Sequence, residues 1–545
     1  MTLSAPIPLY SGDVPRILRA LLLFGAAIFL ALHAVHLTAD FPNHSPWMDW
    51  AKYTDEGWYG DAAIRHYQRG HWYVYGDFNP AVALPVWPVL ELVIFRFAGV
   101  SLTAARALTI AIFGLILLVS YFLMRRWSAV PNSLTPATAV LLLAVSPFCY
   151  VFTRLAILEP LLILFTLLAL LAASYAPILL ERQAGKLPRY LPTLILGILL
   201  PLMILTKTTA VFLFPSIAWL LWASSGYRLR LFLRAALPAV AIAAALWISY
   251  FVLFVRPHFL EDYRYLFSAN AYTGITLGTA GAVLYATLKD SLWIGKPLVS
   301  LAVPGALAVL FLLRRRTPSL IVSLLLWVAG YTAFLAYHDN LQPRYYLVLA
   351  VPLTLIVPLI LEELLTRLRY SALPLRIIAV SAAILLLTAV ALPDAAQTLH
   401  YVRTPEYTFA QAAAHVRQII AATPSQSPLV LSISGSDLSL MTGLPSICDD
   451  FGTMELADRV AAYRPGWYAA WNQVDDDKME ALAPLYHLYR VAAFPAMDDP
   501  ERNLLILYRL DPARAVRTSH KLRKPVPRLL RTGIGQQPSE IQLEH

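Results

Sequence analysis

The stretch LPVWPVLELVIFRFA, residues 84–98, decides how the rest of the chain is read. It is apolar, yet Pro85, Pro88, Glu91 and Arg96 interrupt it, and it is short for a bilayer crossing, which takes about 20 residues of helix. Counted as a span, it inverts the side of every later loop. Laid against the membrane surface, with the N-terminus inside, it leaves the basic loops on one face. Arg125 and Arg126 fall there, then Arg182, Lys186 and Arg189, then Arg228, Arg230 and Arg234, then Arg314 to Arg316, then Arg367 and Arg369. That face is cytoplasmic, because Lys and Arg concentrate in cytoplasmic loops. Residues 84–98 are therefore expected to form an interfacial helix, and the C-terminus to lie outside.

Outward from this stretch the chain reads as a polytopic membrane protein, mainly α. With 545 residues, 58% hydrophobic and only 14% charged, and a mean hydropathy of +0.60, it carries more apolar surface than a soluble core can hide. This excludes an ordinary cytosolic enzyme. The net charge of +10 reports topology before any affinity for nucleic acid, since the basic residues cluster between apolar blocks. Eleven spans are expected, near residues 17–37, 102–124, 134–151, 155–177, 190–206, 209–224, 235–256, 298–313, 319–337, 345–366 and 373–392. The first follows Arg16 and Arg19 and has no clear cleavage site, so it reads as a retained span in a multi-pass inner or plasma membrane protein. Cys149 and Cys448 give neither a disulfide framework nor a cysteine metal site, and leave a single bridge open.

After about residue 400 the composition becomes that of a soluble domain. A helical run at 408–421 precedes β-like runs at 429–434, 468–471, 489–494 and 503–510, with helices expected at 453–463 and 476–484. Three parts follow: a transmembrane domain over 1–400, a small external α/β domain over 401–512, and a basic flexible tail over 513–545. Gly435 follows a strand without a G-x-G-x-x-G pattern, so no dinucleotide site is expected. Asp475 to Asp477 precede a helix and read as a cap and a solvated face rather than a nucleotide-sugar motif.

Chemistry-bearing residues gather on the face opposite the basic loops. Asp55, Glu56 and Asp61 open the first external loop; Arg154 with Glu159, Lys207, and His338, Asp339 and Arg344 stand in later turns. One such charge at a span end is commonly an interfacial anchor; convergence of several on one face favours a functional reading. Residues 256–265, aromatic and charged, suit either a solvated interfacial loop or a cover over an amphiphilic substrate. His338 and Asp339 lack a third partner and make a poor metal site, so a divalent metal is left open without a clear ligand set to hold it.

These residues carry a resemblance. Asp55-Glu56 in the first external loop, Asn79-Pro80, the segment ending Phe97-Ala98-Gly99-Val100-Ser101, and Ala105-Arg106-Ala107-Leu108 together resemble the GT-C membrane glycosyltransferases. Within that superfamily the likeness is to RgtA/B/C/D-like proteins and aminoarabinose transferases, and more distantly to protein O-mannosyltransferases. Arg154 to Glu159-Pro160 resembles that family's second external motif, Thr206-Lys207 its external lysine, and Pro343-Arg344-Tyr345-Tyr346 its late Pro-Arg-Tyr element. Glu159 stands where Asp occurs in many relatives, and Asn79 where they have a basic residue.

The resemblance implies a GT-C bundle and inverting transfer of a sugar from a polyprenyl-phosphate donor to a hydroxyl of an envelope lipid, glycan or protein. Such a reaction needs one base for the acceptor proton and cations for the departing phosphate. Asp55 is the expected base, with Glu56 as fallback. Glu159 would orient the base or acceptor, or pair with Arg154. Lys207, Arg344 and Arg154 are the candidate phosphate contacts. The alternative is a polytopic transporter of an amphiphilic substrate, disfavoured because its polar groups would sit near mid-membrane and its halves would repeat.

Overall fold

The computed structural model describes residues 14–128, 130, 132–181, 186–268, 276–312, 319–338, 341–368, 371–500 and 502–513. Asp339, Arg182, Arg314 to Arg316, Arg369 and nearly all of the basic tail lie outside them, as does the side chain of Lys186. Among the described residues, eight helices are long and apolar enough to cross a membrane. Three shorter apolar helices, Thr135–Val145, Thr208–Ser224 and Lys296–Phe311, stand where the other three spans were expected, so a count of eleven rests on including them.

The helices differ in how much of their surface protein covers. The hydrophobic windows of Leu158–Glu181 and Pro343–Leu368 are 72% and 78% buried, whereas that of Arg16–His33 is 11% buried. The first two are the interior of the bundle; the third turns Ile17, Leu21, Phe24 and Ile28 outward. An apolar residue facing outward on a helix of this length costs nothing in hydrocarbon, where the backbone is already satisfied within the helix. The last long helix, Leu373–Arg403, runs past the predicted end of its span and leads directly to the C-terminal domain.

Residues 84–98 form a helix of 13 residues, Val86–Ala98, ended by Gly99 at φ 73°. At 1.5 Å per residue it is about 20 Å long, too short to cross. Val89, Val93 and Phe97, spaced by four, are exposed on one face, while Trp87 and Phe95 are buried on the other. That pattern suits a helix lying in the interface with its apolar side toward lipid.

The C-terminal domain is a five-stranded sheet in the order β2-β1-β3-β5-β4, made of β1 (Val430–Leu431), β2 (Ser446–Ile447), β3 (Trp467–Trp471), β4 (Tyr486–Pro495) and β5 (Leu504–Pro512). β1 pairs parallel with β2 and β3; β5 runs antiparallel to β3 and β4. Alternation decides the faces of β3. Trp467, Ala469 and Trp471 pack with Phe409, Ala413 and Val416 of the helix Thr408–Ala421, and Tyr468 and Ala470 pack with Val460 and Leu482. Two first-loop residues, Tyr53 and Val74, are buried in these same two clusters, so the loop and the C-terminal domain share core. β2 and the helix Gly435–Thr442 have no counterpart in the sequence reading. Cys149 and Cys448 are both free and buried, which closes the possibility of a bridge between them.

Candidate active site

The first-loop helix Asp55–Arg69 places two acids in its first turn, where the unpaired backbone N–H groups favour negative charge. Asp55 and Glu56, adjacent in sequence, meet different surroundings. Asp55 accepts from Thr54 Oγ1 at 3.0 Å, and its Oδ2 lies 2.7 Å from Arg344 Nη2. Arg344 is also held by Asp49, through the backbone N at 2.8 Å and through Nη1. Asp49 in turn caps the short turn Trp50–Lys52, accepting from Ala51 N at 2.8 Å.

A second ion pair stands beside the first. Lys207, at the break between Lys186–Thr206 and Thr208–Leu213, donates to Glu159 in the first turn of Leu158–Glu181. Both cations lie over the ring of Tyr345, Lys207 Nζ at 4.2 Å and the Arg344 guanidinium at 4.7 Å from its centroid. The Asp55–Arg344 and Glu159–Lys207 pairs therefore form one buried cluster around an aromatic face. All four charged residues are under 10% exposed. Burial raises the Asp55 carboxyl from the usual carboxylate range, Arg344 opposes the rise, and the charges of Asp49 and Glu159 add to it. Burial also lowers Lys207, with Glu159 opposing.

Glu56 is placed differently. It receives Arg106 Nε at 2.8 Å and Nη2 at 2.5 Å, a two-point pair, and Ala156 N at 2.9 Å. Arg106 also donates to the carbonyls of Leu37 and Ala39. With its carboxylate engaged by three donors, Glu56 braces the first loop against the helix Leu102–Trp127 and the turn before Leu158. Arg154 does not pair with Glu159: its guanidinium donates to Tyr150 and to the carbonyls of Val35 and His36. The pairing with Arg154 that the sequence left open for Glu159 is not formed: Glu159 pairs with Lys207, and Arg154 turns to the carbonyls just past the first helix. Along Leu102–Trp127, Arg106 and Arg125 are 19 residues apart, about 28 Å by helical rise. The cluster and the first basic loop therefore occupy opposite ends of the bundle.

Further buried pairs dock the first loop to the C-terminal domain. Arg65 holds Asp61 at 2.7 Å and Asp77 at 2.5 Å, and Asp77 also meets Arg459 at 3.0 Å. Ser436 Oγ donates to Asp61 at 2.9 Å, and Gly57 N donates to Asp437. Asn79 accepts from Arg65 and donates to Asp262 at 2.8 Å, while Tyr265 accepts from Gly452 N at 3.1 Å. The helix Leu260–Ser268, which includes part of the segment 256–265 read as either a solvated interfacial loop or a substrate cover, thereby touches both the first loop and the C-terminal domain. Gly57 has no room for a side chain: a Cβ there would lie 2.1 Å from the backbone carbon of Ser436. Gly57→Ala is expected to loosen this junction by about 1–3 kcal/mol, read as a lowered thermal midpoint and faster proteolysis near Gly435–Thr442; an unchanged midpoint would contradict it.

Sequence reasoning did not single out Asp49, Tyr345 or Arg106 for a role. Asp49 sits between Trp47 and Trp50 in the loop after the first span, and an acid flanked by tryptophans was the available signal. Among the described residues no group of three or more metal-ligating side chains is close enough to hold an ion.

No family model matches the chain, and no curated protein matches it significantly in sequence. Solved structures do match. ArnT from Cupriavidus metallidurans, in a crystal structure bound to undecaprenyl phosphate, is 14% identical at a TM-score of 0.58, over 90% of this chain and 98% of that one. The archaeal oligosaccharyltransferase AglB from Archaeoglobus fulgidus, in complex with an inhibitory peptide and a dolichol-phosphate, is 13% identical at a TM-score of 0.53, over 92% of this chain and 76% of that one. At such low identity the likeness is one of architecture, and it covers the helical bundle together with the sheet domain: this chain has the fold of the GT-C membrane glycosyltransferases.

Proposed function

We propose that the protein is a glycosyltransferase that moves a sugar from a polyprenyl-phosphate donor to an acceptor hydroxyl on the extracytoplasmic face, inverting the anomeric carbon. The observation that carries this reading is the buried cluster in which Asp55, Arg344, Glu159 and Lys207 converge on Tyr345. The fold it shares with a protein that binds undecaprenyl phosphate and one that binds a dolichol-phosphate supports a lipid-linked donor.

In this reading Asp55 takes the proton of the acceptor hydroxyl as that oxygen attacks the anomeric carbon. The bond from that carbon to the phosphate oxygen breaks on the opposite side. The polyprenyl phosphate leaves with the bonding electrons, and Arg344 and Lys207 hold its charge. Lys207 has three N–H donors, one of them on Glu159, and Arg344 has five, so both keep protons for a phosphate. Asp49 and Glu159 would hold the two cations in position. Glu56 stays outside the chemistry as a brace, and Arg154, engaged with Tyr150 and two carbonyls, is the weaker of the phosphate candidates. The cluster stands at helix ends and in short turns rather than midway along the spans, which disfavours transport.

The test is incubation of the purified protein with polyprenyl-phosphate sugars and an envelope extract, with mass spectrometry of the products. The expected result is free polyprenyl phosphate together with a sugar-bearing acceptor. Uptake into sealed vesicles with no sugar transferred to any acceptor would replace the enzyme with a transporter. Lys207→Met is expected to lower kcat/KM for the donor about 10- to 100-fold, the loss of one charge-assisted contact of about 1.5–3 kcal/mol. Donor kinetics indistinguishable from wild type would remove Lys207 from the phosphate site.

A further inference from the structure

The C-terminal domain contains a cavity of about 540 Å3 that the cluster around Tyr345 does not use. Asp449 lies just past β2, Ile433 past β1, and Asn472 and Gln473 past β3, so the cavity stands at the carboxyl ends of three parallel strands. Open α/β sheets bind small ligands at that edge, where successive strands are laid down on opposite sides of the first, as β2 and β3 are on either side of β1.

Its lining narrows the ligand. Asp449 is 4% exposed; one carboxylate oxygen accepts from the Tyr468 hydroxyl at 2.9 Å, and the other, Oδ1, is buried without a hydrogen-bond partner. A buried acceptor left in this state calls for a donor. Burial pushes the Asp449 carboxyl up to about 7, which the nearby Lys478 ammonium counters. Lys478 is paired with Asp450 and Asp477, both at 3.2 Å, so it is a poor anchor for an anion, and Asp449, Asp450 and Asp475 repel one. A metal ion has no set of three ligands among the described residues, and an apolar ligand would strand these charges. A sugar ring meets the set: each hydroxyl both donates and accepts, so one ring can bond a carboxylate, an amide and an ammonium together while its C–H groups stack on the face of an aromatic ring.

The cavity is coupled to the site described above. Trp471 and Arg502 line it, and both pack on Tyr53, Trp471 at 5.9 Å between ring centroids and Arg502 with its guanidinium 4.5 Å above the ring. Tyr53 precedes Asp55 by two residues.

We infer that this cavity is a binding site for a sugar ring, the acceptor-side glycan of the transfer proposed above, seated on Asp449, Gln473, Trp471 and Lys478. That the sugar is the acceptor rests on the transferase reading; that the cavity takes a sugar does not. The occupied cavity holds a glycan on residues braced against the segment that carries Asp55, and the domain then selects the acceptor.

The test uses the full chain in nanodiscs and saturation-transfer NMR with the methyl glycosides of glucose, galactose, mannose and N-acetylglucosamine. At least one is expected to bind. Its affinity is expected to fall about tenfold in Asp449→Asn, which retains an acceptor for Tyr468, and in the exposed-residue variant Gln473→Ala, with undecaprenyl-phosphate affinity and thermal midpoint unchanged. No binding by any of the four overturns the inference, as does binding that both variants leave intact or that inorganic phosphate displaces. Glycoside binding in a protein that transfers no sugar would overturn the transferase reading alone. Sugar transfer with no glycoside binding would overturn this inference alone.

Discussion

Asp55→Asn is expected to lower kcat for sugar transfer about 100- to 10,000-fold, the contribution of a positioned general base, while the protein purifies with a normal size-exclusion profile. Asn is nearly isosteric and keeps an oxygen to accept from Thr54, so the cluster loses a charge and little of its shape. The pH profile separates a base from a structural acid. Burial raises the Asp55 carboxyl, and a base must be ionised to act, so wild-type activity is expected to fall as pH drops through a value above the ordinary carboxylate range. The limb should be absent from the residual activity of the Asn variant. Full turnover by that variant, or an unchanged acidic limb, would take the base role away from Asp55.

The same raised carboxyl has an opposite consequence for stability. A group that binds its proton more tightly when folded contributes stability that is present below its unfolded pKa and is lost as pH rises through the folded value. Arg344 reduces this loss, so Arg344→Met should steepen the decline in thermal midpoint with rising pH. A slope equal to that of wild type would mean that Asp55 and Arg344 do not share charge in solution.

Glu56→Ala carries the largest expected effect on folding. Arg106 is buried and meets Glu56 at two points, and removing one member of such a pair leaves a charge without compensation, at about 3–5 kcal/mol. The thermal midpoint should fall sharply and expression with it. Glu56→Met combined with Arg106→Met, which removes both charges and keeps the volume, should recover much of the loss because no lone charge remains. A Glu56→Ala protein that is as stable as wild type but catalytically dead would move Glu56 from brace to chemistry. The contrast with Asp55 is instructive: two neighbouring acids in one helical turn face different partners, and only their partners distinguish them.

Much was legible in the sequence because membrane insertion writes its constraints locally. A hydrocarbon slab demands runs of about 20 apolar residues, and the interruption of residues 84–98 by two prolines and two charges, together with the side of the basic loops that follow, sets that stretch apart from a span. The α/β pattern after residue 400 was readable for the same reason, since the helix Thr408–Ala421 follows a period of 3.6 and the strands Trp467–Trp471 and Leu504–Pro512 are short apolar runs. β2, two residues long, has too little length to show a period. The candidate acids and cations were named from residue type, order and side.

Tertiary structure alone decided the pairings. Arg344 meets Asp49 and Asp55 across almost 300 residues of sequence, Lys207 rather than Arg154 meets Glu159, and Asp437 receives Gly57 N from the first loop. The choice between Lys207 and Arg154 depends on which way a buried turn directs each side chain, and that is set by the packing of helices that are distant in the chain. The sequence determined which segments avoid water and which residues carry charge, because those are properties of each segment in its solvent. Which charge neutralises which is a property of the assembled interior, where burial without a partner is costly and geometry selects the partner.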